Sequence, residues 1–417
     1  LDNKYYYDTY KVNYGFFLAH LIIVDWKTKK SKNKHVFLMK LLFITNYFPK
    51  KNGETDALFL YWRVTELIKH GHHVTILKWN QNMRDIGMAS YNILDLKSSV
   101  LKSNIPVIPI HSYQLWMPYT RKKWHQWIHD QFDIVHFHWL WSMTVFPTIA
   151  QWHIPFVVTC HGSDIYRMGE SFNQWALGRW LNRRVVAHQM ARLNTANHVI
   201  FVSKNMAINA QKKGFSNKHS IVPNGYNCHL FKPFKVSSNT NKICIGFVGN
   251  LLPIKRADKL PEIIKKIHAA LPIATFLIIG EGPLRESIER ECQPLKNTVK
   301  FTGKQPPQIV AEYMQQMTVL MIPSRSESFG CVIKEAQACG VSVVGSDAGG
   351  IPDVIGHGGI VVVDGDGFED RFSNAVVQLA MVPICPNILK KESEQYQWEN
   401  TVMQEQAIYQ DIISARF

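Results

Sequence analysis

The sequence predicts an α/β protein with two parallel sheets, each covered by helices on both faces. Three observations carry this. Short, fully apolar runs alternate with amphipathic helical stretches, the series runs twice with a polar break near residue 235, and glycine and polar residues gather directly after the apolar runs. At 417 residues with 46% hydrophobic content, the chain can bury the two cores that such a plan needs.

Each element follows from its residues. "KLLFITNYF" (40–48) is a short apolar strand, "ALFLYWRVTELIKHGH" (57–72) a helix closed by Gly71, and "HVTIL" (73–77) the next strand. "FDIVHFHW" (132–139), "PFVVTCHGSD" (155–164), "NHVIFVS" (197–203) and "HSIVPNG" (219–225) continue the first series as strands that end in polar loops. After the linker "FKPFKVSSNTN" (231–241), the second series runs through "KICIGFVGN", the helix "RADKLPEIIKKIHAAL", "ATFLIIGEGP", "VKFTGK", "VLMIPS" and "VSVVGSD". The stretch 396–417 is amphipathic, with Trp398, Val402, Ile408, Tyr409 and Ile412 roughly at helical spacing. Met39 reads as a natural start with a strand following at once, so residues 1–38 are expected to be an upstream extension outside the fold.

Composition bounds the function. The seven cysteines, at 160, 228, 244, 292, 331, 339 and 385, contain no C-x-x-C pair and leave an odd one over, which argues against a zinc cluster or disulfide framework and for a reducing cytoplasm. The longest apolar run near the N-terminus, "FFLAHLIIV", stops at Asp25, short of a bilayer span. Charge is lopsided: residues 1–38 hold 7 basic and 3 acidic groups, 39–235 hold 23 and 9, and 236–417 hold 17 and 20. A cationic first half suits a nucleic acid, an anionic membrane surface or a phosphorylated substrate. No groove-reading or RNA-binding signature accompanies it, so a nucleic-acid partner is not expected.

In parallel sheets the working residues sit at the carboxyl ends of strands. Here those ends carry Asn52-Gly53, His136 to His138, His161-Gly162-Ser163-Asp164, Asn224-Gly225, Gly249-Asn250, Gly280 to Pro283, Ser326-Glu327 and Gly349-Gly350. In "PSRSESFGCVIKEAQACG" (323–340), Glu327 and Glu335 stand on either side of a Phe329-Gly330 turn that opens a helix at Cys331. The helix start offers unpaired N–H groups to an anion, and the carboxylates can accept from hydroxyl pairs. By itself Glu335 reads equally as a solvated helix residue. His136 and His138 alternate on one strand face like metal ligands, but no third ligand is evident, and "DGDG" (364–367) reads as a turn.

The ordered set "HGSD", "VPNG", "GNLLPIK", "IGEGPL" and "PSRSESFG", with the E-x7-E of Glu327 and Glu335, resembles the retaining glycosyltransferases of family 4 over residues 39–417. The resemblance implies the GT-B fold, two Rossmann-like domains with parallel sheets facing across a cleft: an acceptor domain at 39–235, a nucleotide-sugar domain at 236–395, and a tail at 396–417 that returns to the first domain. It implies that Glu335 binds the ribose, Glu327 the hydroxyls of the transferred sugar, and His161 the sugar near its anomeric carbon. Gly53, Asn250, Lys255, Gly282, Pro283, Phe329, Gly330 and Cys331 complete the implied donor site. Gly53 reads equally as an ordinary turn. The family pattern G-R-L-x-x-x-K-G is broken in "GNLLPIKR", where Asn250 replaces Arg; Lys255 is then the phosphate ligand, with Arg256 a candidate to compensate. A retaining, metal-independent reaction without cofactor is implied, using a nucleotide-sugar donor, a UDP-sugar ahead of a GDP-sugar, and a glycan or lipid-linked glycan acceptor of bacterial surface polysaccharide synthesis. A nucleotide-sugar epimerase or a sugar phosphorylase is the alternative on this scaffold. Basic Arg121, Lys122 and Lys123 beside Trp124 and Trp127 suggest contact with an anionic inner membrane surface; the two indoles could equally belong to the core.

Overall fold

The computed structural model describes residues 38–49, 57–80, 107–111, 118–168, 176–233 and 243–416. The upstream extension, the Asn52-Gly53 turn and most of the 231–241 linker lie outside these residues. The first half runs β1 (Lys40–Thr45), α1 (Leu58–Lys69), β2 (His73–Asn80), β3 (Val107–His111), α2 (Pro118–Gln131), β4 (Ile134–His138), β5 (Phe156–Cys160), α3 (Ser163–Tyr166), α4 (Ala176–Leu193), β6 (His198–Phe201), α5 (Lys204–Lys212) and β7 (His219–Ile221). The second runs β8 (Cys244–Val248), α6 (Leu260–Ala270), β9 (Thr275–Ile279), α7 (Arg285–Glu291), β10 (Val299–Gly303), α8 (Pro307–Met314), β11 (Val319–Ile322), α9 (Cys331–Ala338), β12 (Ser342–Ser346), α10 (Ile351–Ile355), β13 (Gly359–Val362), α11 (Phe368–Met381), α12 (Pro386–Glu394) and α13 (Trp398–Ser414).

The strands form two sheets, ordered β3-β2-β1-β4-β5-β6-β7 and β10-β9-β8-β11-β12-β13, and every strand pairing in both is parallel. Leu41 to Thr45, all of β4 and all of β5 are buried, as strands covered on both faces must be. In each sheet the order reverses between two adjacent strands, β1 and β4 in the first and β8 and β11 in the second. The crevice beyond the carboxyl ends at such a reversal is where a doubly wound sheet receives ligands.

α13 crosses back to the first half and packs against α1. Arg63 of α1 donates to Glu405 of α13 at 2.7 Å, with both side chains fully buried. Tyr409 of α13 shares a 2.6 Å hydrogen bond with His136 of β4. Gly225 leaves room for this crossing, since a Cβ there would lie 2.6 Å from the Trp398 ring. One hydrophobic core consequently runs from the first sheet through the tail to one face of the second sheet, while a separate core fills the other face. Among the described residues no single helix is long and apolar enough to cross a membrane.

Candidate active site

The loop after β11 is built around Glu327. Gly330, at φ 75°, caps α9 in the left-handed region, and a Cβ there would sit 3.2 Å from Glu327 Cγ, so the turn needs glycine on both counts. Gly350 N–H donates to the Glu327 carbonyl at 2.9 Å, and a Cβ on Gly349 would collide with the same oxygen. The Gly349-Gly350 turn is thus a backbone prop beneath Glu327. Arg325 fastens the loop to the one after β8: its N–H donates to Ile254 O at 2.8 Å and its guanidinium to both Asp258 oxygens at 2.6 and 2.7 Å.

These ties bring Lys255 onto Glu327 as an ion pair, while Ser328 N–H donates to the other Glu327 oxygen at 3.3 Å. One helical turn beyond the cap, Glu335 is only 9% exposed, against the solvated alternative, and it has no ion-pair partner among the described residues. Burial pushes its carboxyl up to about 7. Phe329 is buried against Tyr396, with ring centroids 5.8 Å apart. The loops after β8 and β9 lie flush, since Leu251 N–H donates to Glu281 O at 2.9 Å and a Cβ on Gly282 would come within 2.5 Å of Leu251 O. Asn250 and Pro283 are exposed at the rim and Gly282 is half-buried. The structure therefore gathers Asn250, Lys255, Gly282, Pro283, Glu327, Phe329, Gly330, Cys331 and Glu335 at the ends of three adjoining strands. Gly53 lies outside the described residues.

Arg256 does not stand in for the arginine missing at 250. Its backbone is left-handed at φ 52°, which turns the guanidinium away from Lys255; it bonds both Asp364 oxygens at 2.6 Å and stacks 3.8 Å over the Phe368 ring. The "DGDG" turn is its anchor, and the Arg256 hydrogen bond holds the Asp364 carboxyl below its usual range.

Across the cleft, His161 follows β5. Asp164 clamps the turn, accepting from His161 N–H at 3.1 Å, Gly162 N–H at 2.8 Å and Leu140 N–H at 2.9 Å. The imidazole sits 4.5 Å from the Trp139 ring and 4.9 Å from Phe59, with its Nε2 3.0 Å from His138 Nδ1. His136 is fully engaged with Tyr409 and, at 2.7 Å, with Thr159. These two histidines are therefore hydrogen-bonded groups, and no cluster of three metal-ligand side chains occurs among the described residues. Burial holds all three imidazoles well below their ordinary value and so neutral. A Cβ on Gly162 would meet Ser328 Oγ at 1.6 Å, so this turn lies directly against the Glu327 loop.

Sequence reasoning left the His138–His161 contact, the Asp164 clamp and the bond from Arg63 to Asn224 Oδ1 (3.1 Å) without roles. The first two had signals: alternate histidines share a strand face, and an aspartate three residues beyond a strand end is placed to accept from the turn. The third joins residues 161 apart in sequence and had none. The indoles of α2 pack inward, Trp124 on Trp127 and Phe146, Trp127 on Phe132, so they are not presented outward as a membrane contact requires; the side chains of Arg121 and Lys123 lie outside the described set.

With this geometry in place, comparison with known proteins is informative. The family model "Glycosyltransferase Family 4" matches residues 63–230, and "Glycosyl transferases group 1" matches residues 242–381. A phosphatidylinositol N-acetylglucosaminyltransferase of Arabidopsis thaliana is 25% identical over 63% of this chain, a match that spans 61% of the relative's length. The Bacillus anthracis N-acetyl-alpha-D-glucosaminyl L-malate synthase is 28% identical over 68% of this chain and 76% of its own. Anabaena HepE, solved in complex with UDP, superposes with a TM-score of 0.68 at 18% identity, over 89% of this chain and all of that one. The reversal of strand order in each half, the glycine-propped Glu327 loop and these matches have one explanation: the chain is a GT-B protein of glycosyltransferase family 4.

Proposed function

We propose that the protein transfers a sugar from a nucleotide-sugar donor to a glycan or lipid-linked glycan acceptor, with retention of anomeric configuration. One observation carries the reading: Lys255, Glu327 and Glu335 converge on the start of α9, and the His161 turn closes over them through Gly162. The α9 N-terminus and Lys255 suit a diphosphate. Glu335, buried with no cation beside it, suits a pair of ribose hydroxyls. Glu327 suits the hydroxyls of the sugar.

Before the donor arrives, Lys255 and Glu327 neutralise each other. An arriving diphosphate draws Lys255 to itself and frees Glu327 to accept from the sugar, so the donor exchanges one internal pair for two contacts of its own. In the reaction the bond from the anomeric carbon to the phosphate oxygen breaks, the acceptor oxygen bonds that carbon on the same face, and the acceptor's proton passes to the leaving phosphate. No protein nucleophile is needed. His161, neutral at ordinary pH, contacts the sugar near the anomeric carbon and is not the base.

N-acetylglucosamine appears in the names of both relatives, and UDP in that of the structural neighbour. UDP-N-acetylglucosamine is therefore the first donor to test, beside UDP-glucose and GDP-mannose. Thermal shift and slow donor hydrolysis rank the donors. Proton NMR of the transferred product reads the anomer: an inverted anomer refutes retention, and turnover of donor to an isomer or a sugar phosphate without acceptor favours the epimerase or phosphorylase reading.

A further inference from the structure

α4 is the molecule's anomalous helix. Its inner side is fixed by buried Asn182, Met190 and Leu193, yet Trp180, Leu181 and Val185 point outward at 50, 40 and 45% exposure. Leu181 and Val185 form one row along the helix at i, i+4; Trp180 and Arg184 form the adjoining row, the guanidinium lying 4.7 Å over the indole. Exposed Arg179 and Arg183 flank them. The 18 residues of α4 include four arginines and no acidic residue. A solvated surface helix would carry mixed charges in place of this apolar face.

We propose that the outer face of α4 is the surface by which the protein sits on a bilayer containing anionic lipid. The chemistry is paired as such a bilayer requires: a wedge of Trp, Leu and Val for the acyl boundary, and arginines whose long stems keep their charge at headgroup level. A second copy of this chain would bring its own arginines against these, with no carboxylate on the face to meet them. A nucleic acid would leave the aliphatic row unused. α4 belongs to the strongly cationic half of the chain, so the field around it points the same way. The inference deepens the lipid-linked acceptor reading above, and names a face different from the one the sequence suggested at α2.

The test is cosedimentation of the full chain with phosphatidylcholine vesicles, plain or containing about a third phosphatidylglycerol, in low and high salt. It uses no donor, so its outcome is separate from that of the transferase assay. Expected are binding to the anionic vesicles only, loss in high salt, and a drop of roughly 100-fold in partitioning for the triple change Arg179→Ser, Arg183→Ser, Arg184→Ser. Leu181→Ser with Val185→Ser should also weaken binding, with an unchanged thermal midpoint. A control, Lys122→Ser on α2, should bind as the parent does. Equal binding to both vesicles, binding to neither, or retention by both α4 variants overturns the proposal. So does a concentration-dependent dimer, measured without lipid by sedimentation equilibrium, that the same variants abolish.

Discussion

Glu335 carries the largest tension in the site. A carboxyl buried without a counter-ion resists ionisation, and its folded value of about 7 stands above the ordinary carboxylate value. The sign follows: the folded state holds the proton more tightly, so below about pH 4.5 the group costs nothing, the cost grows as pH rises, and it is complete above pH 7, at about 3 kcal/mol. Glu335→Gln should therefore raise the thermal midpoint of the free protein at pH 8 and leave it nearly unchanged at pH 4.5. It should also weaken UDP binding by roughly 1.5 to 3 kcal/mol in titration calorimetry; equal affinity would remove the ribose assignment. A gain in stability alongside a loss in binding is the mark of a binding group held in an unfavourable setting. The E-x7-E spacing was legible in the sequence, but this tension was not, because burial depends on α9 packing under the second sheet. His138 offers a second residue-scale test. Its Nε2 and His161 Nδ1 are buried without partners. A bare acceptor is cheaper to leave unpaired than an N–H, so His138 Nδ1–H donates to His161 Nε2 and leaves His161 presenting an N–H to the cleft. His138→Gln should lower kcat roughly 5-fold, the worth of one orienting hydrogen bond, with UDP affinity unchanged.

Among elements, α13 decides most. Its apolar positions Trp398, Val402, Ile408, Tyr409 and Ile412 are all buried, and the periodicity that places them was readable because helical spacing is local. Its polar contacts were not: Glu405 finds Arg63 from 342 residues away and Tyr409 finds His136 from 273. A buried pair of this kind is costly to break and cheap to replace. Glu405→Ala should destabilise the protein by about 3 to 5 kcal/mol in urea unfolding, whereas Arg63→Met combined with Glu405→Leu should cost less than either change alone. Additive losses would mean the charges do not act as a pair. The strand–helix alternation was equally legible, since each strand's apolar run is set by its own residues, while the strand order was not, since it depends on which strands meet.

At the scale of the whole molecule, stability toward acid should be set by the neutral histidines His136, His138 and His161, whose folded values lie well below 6.5. The unfolded chain binds protons that the folded one refuses, so stability is full above about pH 6.5 and falls below it, by up to about 4 kcal/mol per pH unit for three groups. Urea midpoints between pH 7 and 5 would measure the slope, and a flat profile would mean the cluster opens to water. The crossing of α13 also reaches beyond the finished fold, into the order in which it is made. Arg63 is synthesised hundreds of residues before the glutamate that neutralises it, an interval of roughly 20 to 70 s at ordinary ribosomal speed. Throughout that time the first half has its strands but lacks the helix that completes its core and satisfies its buried cation. Nascent chains stalled before residue 398 should be cut readily by protease, and those extended past residue 414 should resist, so this N-terminal half matures only after synthesis has passed through the other.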